Sequence, residues 1–296
     1  MPKSKVYFTK QINSEAIVNI YEKLGRQLVG RVGVKISTGE MGGHNYLKPE
    51  LISQIVEKLN GTIVECNTAY GGSRQETKDH LNTIKEHKFD QFFKVQILDA
   101  EGEKKIPVTN GFHLDYDIVG KDMDEYDSFL ILSHFKGHQM AGMGGALKNI
   151  SIGFASSAGK AYIHSAGVTT DTKECWRKHP GQDAFLESMA DAVEAVTKYV
   201  GEKNMVYINV ANRLSVDCDC NSNPAEPEMA DIGIFASLDP VAVDKACYDA
   251  VHNSEDKGKA SLVNRMEKLH AHHILETASK HNLGSLDYEV VSLDER

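Results

Sequence analysis

The segment LVGRVGVKI, residues 28–36, begins the unit on which the fold prediction depends. Its β-branched residues are typical of a buried strand. Residues 49–59 follow, with apolar side chains at helical spacing and a proline at the first helical position. The run GTIVECN, residues 61–67, then predicts a second strand. Strand, helix and strand in this order favour a right-handed crossover between parallel strands.

The rest of the chain repeats the alternation of short apolar runs and amphipathic stretches. We therefore predict an α/β protein with a mostly parallel sheet flanked by helices. The chain 1–296 is treated as one unit, and two lobes, 1–165 and 166–296 with the site between them, are compatible with the pattern. The further predicted strands are 128–135, 205–211, 231–237 and 288–291, and the further helices are 184–200, 240–251 (capped by Asp239) and 262–280.

Composition and charge exclude several classes of protein. Among 296 residues, 42 are acidic and 33 basic, giving a net charge of -9, which argues against a nucleic-acid partner. We expect no membrane span, because no apolar run approaches the roughly 20 residues required. No apolar segment follows the basic residues at the start, so we expect no export signal. The five cysteines are too few for a disulfide scaffold, and a cytoplasmic location is expected.

The segment SHFKGHQMAGMGGALKNISIGFASSAGKAYIHS, residues 133–165, is the first site candidate. It follows an apolar strand, so it starts at the carboxyl end where α/β sheets form ligand sites. Gly144 and Gly145 permit positive φ and close approach of the backbone to a ligand. The alternative is a glycine-rich connector with exposed basic side chains. Three groups in it suit proton transfer, cofactor holding or metal binding: His138, Lys148 and His164.

The sequence DCDC, residues 217–220, is the second candidate. In a strand-like conformation Cys218 and Cys220 would share one face, with Asp217 and Asp219 on the other. Two thiolates bind soft metals, but a histidine or carboxylate would have to complete the site. The alternative is two packed cysteines flanked by solvated acids. The chain has no CxxC spacing, so we predict no intact ferredoxin cluster.

Two polar loops after the first two strands form a third, weaker candidate. Because both loops would lie at one edge of a parallel sheet, the two loops together are a stronger candidate site than either loop alone. Arg74 could hold a carboxylate or phosphate through two hydrogen bonds, although a surface arginine is the better interpretation of this residue alone. The polar residues of these loops are Lys35, Glu40 and His44 in the first, and Thr68, Ser73 and Arg74 in the second.

A family resemblance rests on five motifs. The chain resembles the uncharacterised Fe–S-centre proteins of the domain-of-unknown-function family 362. Many members carry a ferredoxin-like insert after the IHS motif, but here the link from Ser165 to Gln182 is short and contains only Cys175. The motifs are VKISTGE, NTAYGGSR with DHL, SHFKGHQMAGMGGALKNISIG with GK and IHS, DCDC, and DIGIFASLDPVAVDKA.

HQMAGMGGALK with a later histidine is also similar to the pattern of nickel-pincer lactate racemases. That resemblance implies that His138 is an acid/base, that Lys148 tethers a pincer nucleotide and that His164 binds nickel. Where the racemases place a second acid/base histidine, this chain has Gly72, Ser73 and Arg74. The resemblance therefore favours a one-base reaction, or a different reaction, over symmetric two-base racemisation.

Two main hypotheses follow. The first is a racemase- or oxidoreductase-like enzyme with nickel, iron, zinc or a pincer-type nucleotide, acting on a small anionic substrate. Lys35, Arg74 and Thr68, with the Gly144–Gly145 pair, would then hold cofactor or substrate. The second is a non-catalytic metal-binding or iron–sulfur-related protein whose principal site is formed by Cys218, Cys220 and nearby histidines, and in which loss of His164 would be harmless. An interaction scaffold ranks last, and a homo-oligomer is compatible with each hypothesis.

Overall fold

A computed structural model describes residues 3–294 and contains one eight-stranded sheet with two small two-stranded sheets. The strands are β1 (Ser4–Thr9), β2 (Val32–Lys35), β3 (Thr62–Glu65), β4 (Val95–Ile97), β5 (Glu103–Pro107), β6 (Tyr116–Gly120), β7 (Ser128–His134), β8 (Lys136–His138), β9 (Gly142–Gly144), β10 (Met205–Ala211), β11 (Gly233–Ser237) and β12 (Tyr288–Ser292). The large sheet has the order β12-β1-β11-β10-β7-β2-β3-β4. Within it, β11 is antiparallel to both neighbours and every other pair is parallel.

Helices cover both faces of the large sheet, so the predicted α/β class with a mostly parallel sheet is confirmed. No helix within residues 3–294 combines the length and apolar character needed to cross a membrane. The helices are α1 (Ser14–Lys23), α2 (Pro49–Lys58), α3 (Thr77–Glu86), α4 (Phe89–Phe92), α5 (Ala146–Phe154), α6 (Ser157–His164), α7 (Gln182–Val200), α8 (Pro240–Asn253), α9 (Ala260–Lys268) and α10 (His272–Lys280), with 3-10 turns at Lys121–Glu125, Cys175–Arg177, Glu202–Asn204 and Lys257–Lys259.

The central strands β7 and β10 are buried along their whole length. Leu130 and Leu132 pack in the core under α1 and α2, whereas Phe129 and Ile131 pack in the core under α5, α7 and α8. A strand buried on both faces needs apolar residues at successive positions rather than at alternate ones. This requirement explains why both strands are visible in the sequence as continuous apolar runs.

The predicted crossover unit is present as β2, α2 and β3, with the two strands parallel. The carboxyl ends of β2, β3, β7 and β10 lie at one edge of the sheet, because these strands are mutually parallel. Strands from both sides of residue 165 share the sheet, since β10 pairs with β7. The division into lobes stays a prediction.

The prediction of one long helix over 262–280 is wrong. The segment forms α9 and α10, and His270 between them adopts a φ of 51°. The His270 amide donates to the Glu267 carbonyl and the Ala271 amide to the Met266 carbonyl, at 3.0 and 2.8 Å. This pair of bonds is a Schellman motif, which ends a helix. Glycine is the usual residue at the left-handed position, and its absence here hid the break.

The start of α5 is held by Asp244 of α8. The Asp244 carboxylate accepts the amides of Ala146 and Leu147 at 2.7 and 2.9 Å, and Asn209 donates to it at 2.6 Å. Neither Gly144 nor Gly145 adopts the positive φ that glycine permits, and Gly145 is extended. Gly145 is needed for a different reason: a Cβ there would lie 2.4 Å from Asp244 Oδ1. The group that approaches the backbone closely at Gly145 is thus the capping carboxylate of Asp244 rather than a ligand.

Replacing Gly145 with alanine should therefore lower the free energy of unfolding by about 1–3 kcal/mol, since the new methyl group displaces the cap. Urea denaturation measures the change. Gly71→Ala is the matched control, because the nearest atom to a Cβ at Gly71 is 3.8 Å away. Equal midpoints for the two variants would contradict this account of Gly145.

Candidate active site

A cavity of about 430 Å³ opens at the edge where the parallel strands end. Asn149 ties α5 to this edge, since its side-chain amide donates to the Lys35 carbonyl and to Ser133 Oγ, both at 3.0 Å. His138, Lys148 and His164, which the sequence alone could not place relative to one another, all line this cavity. The wall contains every residue assigned to catalysis, cofactor or metal: Lys35, Thr68, Arg74, His138, Gly144, Gly145, Lys148, His164, Cys218 and Cys220.

His138 is placed by the docking of β8 against residues 215–216. The Gly137 amide donates to the Ser215 carbonyl at 2.8 Å, and a Cβ on Gly137 would lie 2.3 Å from the Val216 oxygen. His138 Nδ1 accepts the amides of Met140 and Ala141 at 3.1 and 2.9 Å. Because Nδ1 is an acceptor, the neutral ring carries its proton on Nε2. Burial, with Lys148 next in effect, lowers the pKa of His138 well below its usual value.

Lys148 lies on α5 and faces the same cavity. Within residues 3–294 its ammonium group forms no ion pair with a carboxylate, unlike its neighbour Lys136. Burial, with Lys136 next in effect, lowers the pKa of Lys148 to about 7. A large fraction of this amine is therefore uncharged at neutral pH, which makes it a nucleophile or a proton acceptor.

His164 has the opposite tautomer to His138. It ends α6, and its Nδ1 donates to the carbonyl of Lys160 one turn earlier at 2.7 Å. Nε2 is left with a free lone pair, and the ring packs against Phe185 and Trp176. Burial lowers the pKa of His164 to about 4, so the ring is neutral at physiological pH. A neutral imidazole fixed by a carbonyl on its other nitrogen is the usual arrangement of a metal-binding histidine.

The DCDC segment is a turn rather than a strand, and Cys218 and Cys220 are joined by a disulfide. The alternative of solvated acids is wrong for Asp219, which is buried against His134 Nδ1 at 2.9 Å and Lys136 Nζ at 2.7 Å. Burial opposes its ionisation, but His134 and Lys136 prevail and hold the pKa of Asp219 well below its usual value. A ring nitrogen of His138 lies within 4.8 Å of both sulfurs.

Lys35 and Arg74 lie at the cavity, but both are already paired with carboxylates. Glu65 Oε2 lies 3.2 Å from Lys35 Nζ, and Glu65 Oε1 lies 3.3 Å from Arg74 Nη1. Glu40 adds a second carboxylate to Arg74 at 3.4 Å. Burial opposes ionisation of Glu65, but Lys35 and Arg74 prevail and lower its pKa to about 2. The interpretation of Arg74 as a surface residue is wrong, since only 4% of it is exposed.

Several cavity residues were missed in the sequence, and others named there lie elsewhere. His44 is partly exposed and pairs with Glu226 at 2.6 Å. The histidines of LHAHH pair with carboxylates on and near α7 and α10. Two features of the sequence could have identified the missed residues. They are the charged residues at the ends of apolar strands and the lysine one turn before His164. The missed residues include Glu65, His134, Lys136, Lys160 and Trp176.

Removing Arg74 would leave two buried carboxylates without their shared cation. Arg74→Ala should lower the free energy of unfolding by about 3–5 kcal/mol, the usual cost of breaking a buried ion pair on one side. Thermal or urea denaturation measures this loss. Arg31→Ala is the control, because Arg31 pairs with Glu125 at the surface and should contribute less than about 1 kcal/mol. Similar losses of unfolding free energy in both variants would contradict a larger contribution of the buried ion pairs to stability.

Comparison with known proteins gives a family and distant structural likenesses. No curated protein is similar enough in sequence to match. The lactate racemase apoprotein from Thermoanaerobacterium thermosaccharolyticum shares 15% identity at a TM-score of 0.47, over 84% of this chain and 57% of that one. A Thermotoga maritima structural-genomics protein shares 10% identity at a TM-score of 0.41, over 90% and 58% respectively. This chain thus spans under three-fifths of each structure.

The family signature itself covers most of the chain. The pattern described as "Domain of unknown function (DUF362)" matches residues 32–249, which include every strand end and loop that forms the cavity. The resemblance found in the motifs is thereby confirmed, and the chain belongs to the DUF362 family.

Proposed function

We propose that this protein is an enzyme that holds a metal-containing cofactor in its cavity and acts on a small anionic substrate. The observation that carries the proposal is Lys148, an amine with a pKa of about 7 that faces a cavity between two histidines. Perturbed amines of this kind are typical of sites that form covalent or proton-transfer chemistry. The lactate racemase likeness contributes no argument beyond the shared pattern of His138, Lys148 and His164.

The side chains fit a tethered, metal-bearing group. Lys148 offers an amine free of carboxylate partners within the described residues, and His164 offers an Nε2 lone pair with its ring fixed by Lys160. We propose that Lys148 tethers a pincer-type nucleotide or a related cofactor and that His164 binds its nickel, iron or zinc. When bound, such a group supplies a Lewis acid and an electron-pair acceptor.

His138 is the group that hydrogen-bonds the substrate. Its Nδ1 accepts two backbone amides, so its proton stays on Nε2, the nitrogen available to a substrate oxygen. Protonation of Nδ1 would break those two bonds, which disfavours the imidazolium form. We therefore propose that His138 holds a proton at Nε2 for a substrate carboxylate or hydroxyl. Arg74 cannot act as a matching base, because Glu40 and Glu65 surround it.

A non-catalytic metal site at His138, Cys218 and Cys220 is the second candidate. Its support is the grouping of one ring nitrogen and two sulfurs within 4.8 Å. Two features count against it in this state. The sulfurs are joined to each other, and the His138 nitrogen left for a metal carries the ring's proton. The enzyme proposal is therefore preferred.

The pKa of Lys148 can be tested directly. Acetylation of its amine by a brief pulse of an N-hydroxysuccinimide ester should rise with pH around about 7, because only the uncharged amine reacts. Peptide mass spectrometry measures the extent of modification. The same residue in urea-unfolded protein is the control, and its reactivity should rise near the ordinary value of 10.5. Coincident curves would show that the fold does not perturb this lysine.

The function itself is tested on protein purified from nickel-supplemented cells. Native mass spectrometry should show a covalent adduct on Lys148, elemental analysis should show one metal, and Lys148→Met should lose the adduct while remaining folded. Conversion of a panel of small 2-hydroxy acids, followed by chiral chromatography, should fall by about 10²–10⁴ in His138→Ala. A bare chain without metal or turnover would end the proposal.

A further inference from the structure

The disulfide between Cys218 and Cys220 forms part of the cavity wall, and the proposed function uses neither sulfur. Cys220 is partly exposed, whereas Cys218 is 4% exposed. The three remaining cysteines, Cys66, Cys175 and Cys247, are buried thiols. Cys66 also lines the cavity, but it is 2% exposed and its thiol donates to the Phe154 carbonyl at 3.2 Å. Cys220 is therefore the most accessible of the cysteine sulfurs described at the cavity.

The turn that carries the two sulfurs is held independently of the bond between them. The Asp219 carboxylate pairs with His134 and Lys136, and its backbone carbonyl accepts the Glu40 amide at 2.7 Å. The Asn221 amide also donates to the Cys218 carbonyl at 3.0 Å. None of these contacts involves a sulfur atom, so opening the disulfide does not itself break them. Both sulfurs thus stay at the cavity, where they can rejoin.

The surroundings of the two sulfurs favour attack on one of them and release of the other as a thiolate. The Cys220 amide donates to Cys218 Sγ at 3.0 Å, and a His138 nitrogen lies within 4.8 Å of the same sulfur. Hydrogen-bond donors stabilise a thiolate, and a stabilised thiolate is a better leaving group. Cys218 is therefore suited to leave as a thiolate and Cys220 to be attacked.

We propose that Cys218 and Cys220 form a redox-active pair that exchanges two electrons with a dithiol through the cavity. A thiolate of the dithiol attacks Cys220 Sγ, the disulfide breaks, and its electron pair remains on Cys218. The second thiol of the reductant gives up its proton and attacks the mixed disulfide, which releases Cys220. The reductant becomes a disulfide, and its two protons balance the two cysteine thiolates formed.

This exchange would give the cavity a second chemical state. Opening the disulfide adds two thiols beside His138, on a turn that Asp219 anchors through His134 and Lys136. The inference stands apart from the cofactor proposal, because it requires neither a tether on Lys148 nor a metal on His164. An experiment can therefore contradict the redox proposal without contradicting the cofactor proposal, and the reverse also holds.

Alkylation of the folded protein tests the inference. Iodoacetamide should add no group before reduction, and two groups, at Cys218 and Cys220, after brief treatment with dithiothreitol. Oxidised dithiothreitol should restore the unreactive state. Urea-unfolded, reduced protein is the control and should be alkylated at all five cysteines. A disulfide that dithiothreitol opens only after unfolding would overturn the proposal, as would two thiols that stay free after oxidant.

Trapping of the mixed disulfide tests the direction of attack. Oxidised protein treated briefly with reduced glutathione and then with iodoacetamide should carry glutathione on Cys220 and the alkyl group on Cys218, and peptide mass spectrometry locates both groups. The preference follows from the greater exposure of Cys220 and the hydrogen bond to Cys218 Sγ. Glutathione on Cys218 to an equal or greater extent would refute the assignment of Cys220 as the attacked sulfur.

Discussion

One buried carboxylate, that of Asp219, joins the parts of the chain that form the cavity. It connects the turn after β10 to His134 at the end of β7 and to Lys136 at the start of β8. The backbone of the same residue also accepts the Glu40 amide from the loop after β2. A buried charge that loses its partners costs several kcal/mol. The position of His138 and of both cavity sulfurs relative to the sheet therefore depends on this one residue.

Pairing with carboxylates also determines which positively charged side chains of the cavity are free to bind a ligand. Carboxylates already neutralise Lys35, Arg74 and Lys136, although all three line the cavity. Lys148 and Lys160 have no such partner within residues 3–294, and burial, the largest effect on each, lowers the pKa of both amines. The positive charge available to an anion thus comes from two lysines that lose their protons more easily than ordinary lysines. Binding of an anion would in turn favour their charged forms.

The sequence could predict the site because the sheet is parallel. Strands buried on both faces, such as β7 and β10, are visible as apolar runs, and their following loops must meet at one edge. The partners within the site were not predictable. Glu65 and Arg74 are close in sequence, but Asp219 meets His134 across 85 positions, and nothing in its neighbours distinguishes it from a solvated acid. The turn of His270 was hidden for a similar reason, because its left-handed conformation lacks a glycine.

The roles of the two cavity histidines depend on backbone groups that no side-chain pattern reveals. Two amides point at Nδ1 of His138, whereas a carbonyl points at Nδ1 of His164. The first ring is thereby a donor at Nε2 and the second an acceptor at Nε2, although both are neutral. A site with one imidazole donor, one imidazole acceptor and an easily deprotonated amine is asymmetric by construction. Such asymmetry suits a reaction in which the two imidazoles have different parts, one donating a hydrogen bond and the other offering a lone pair.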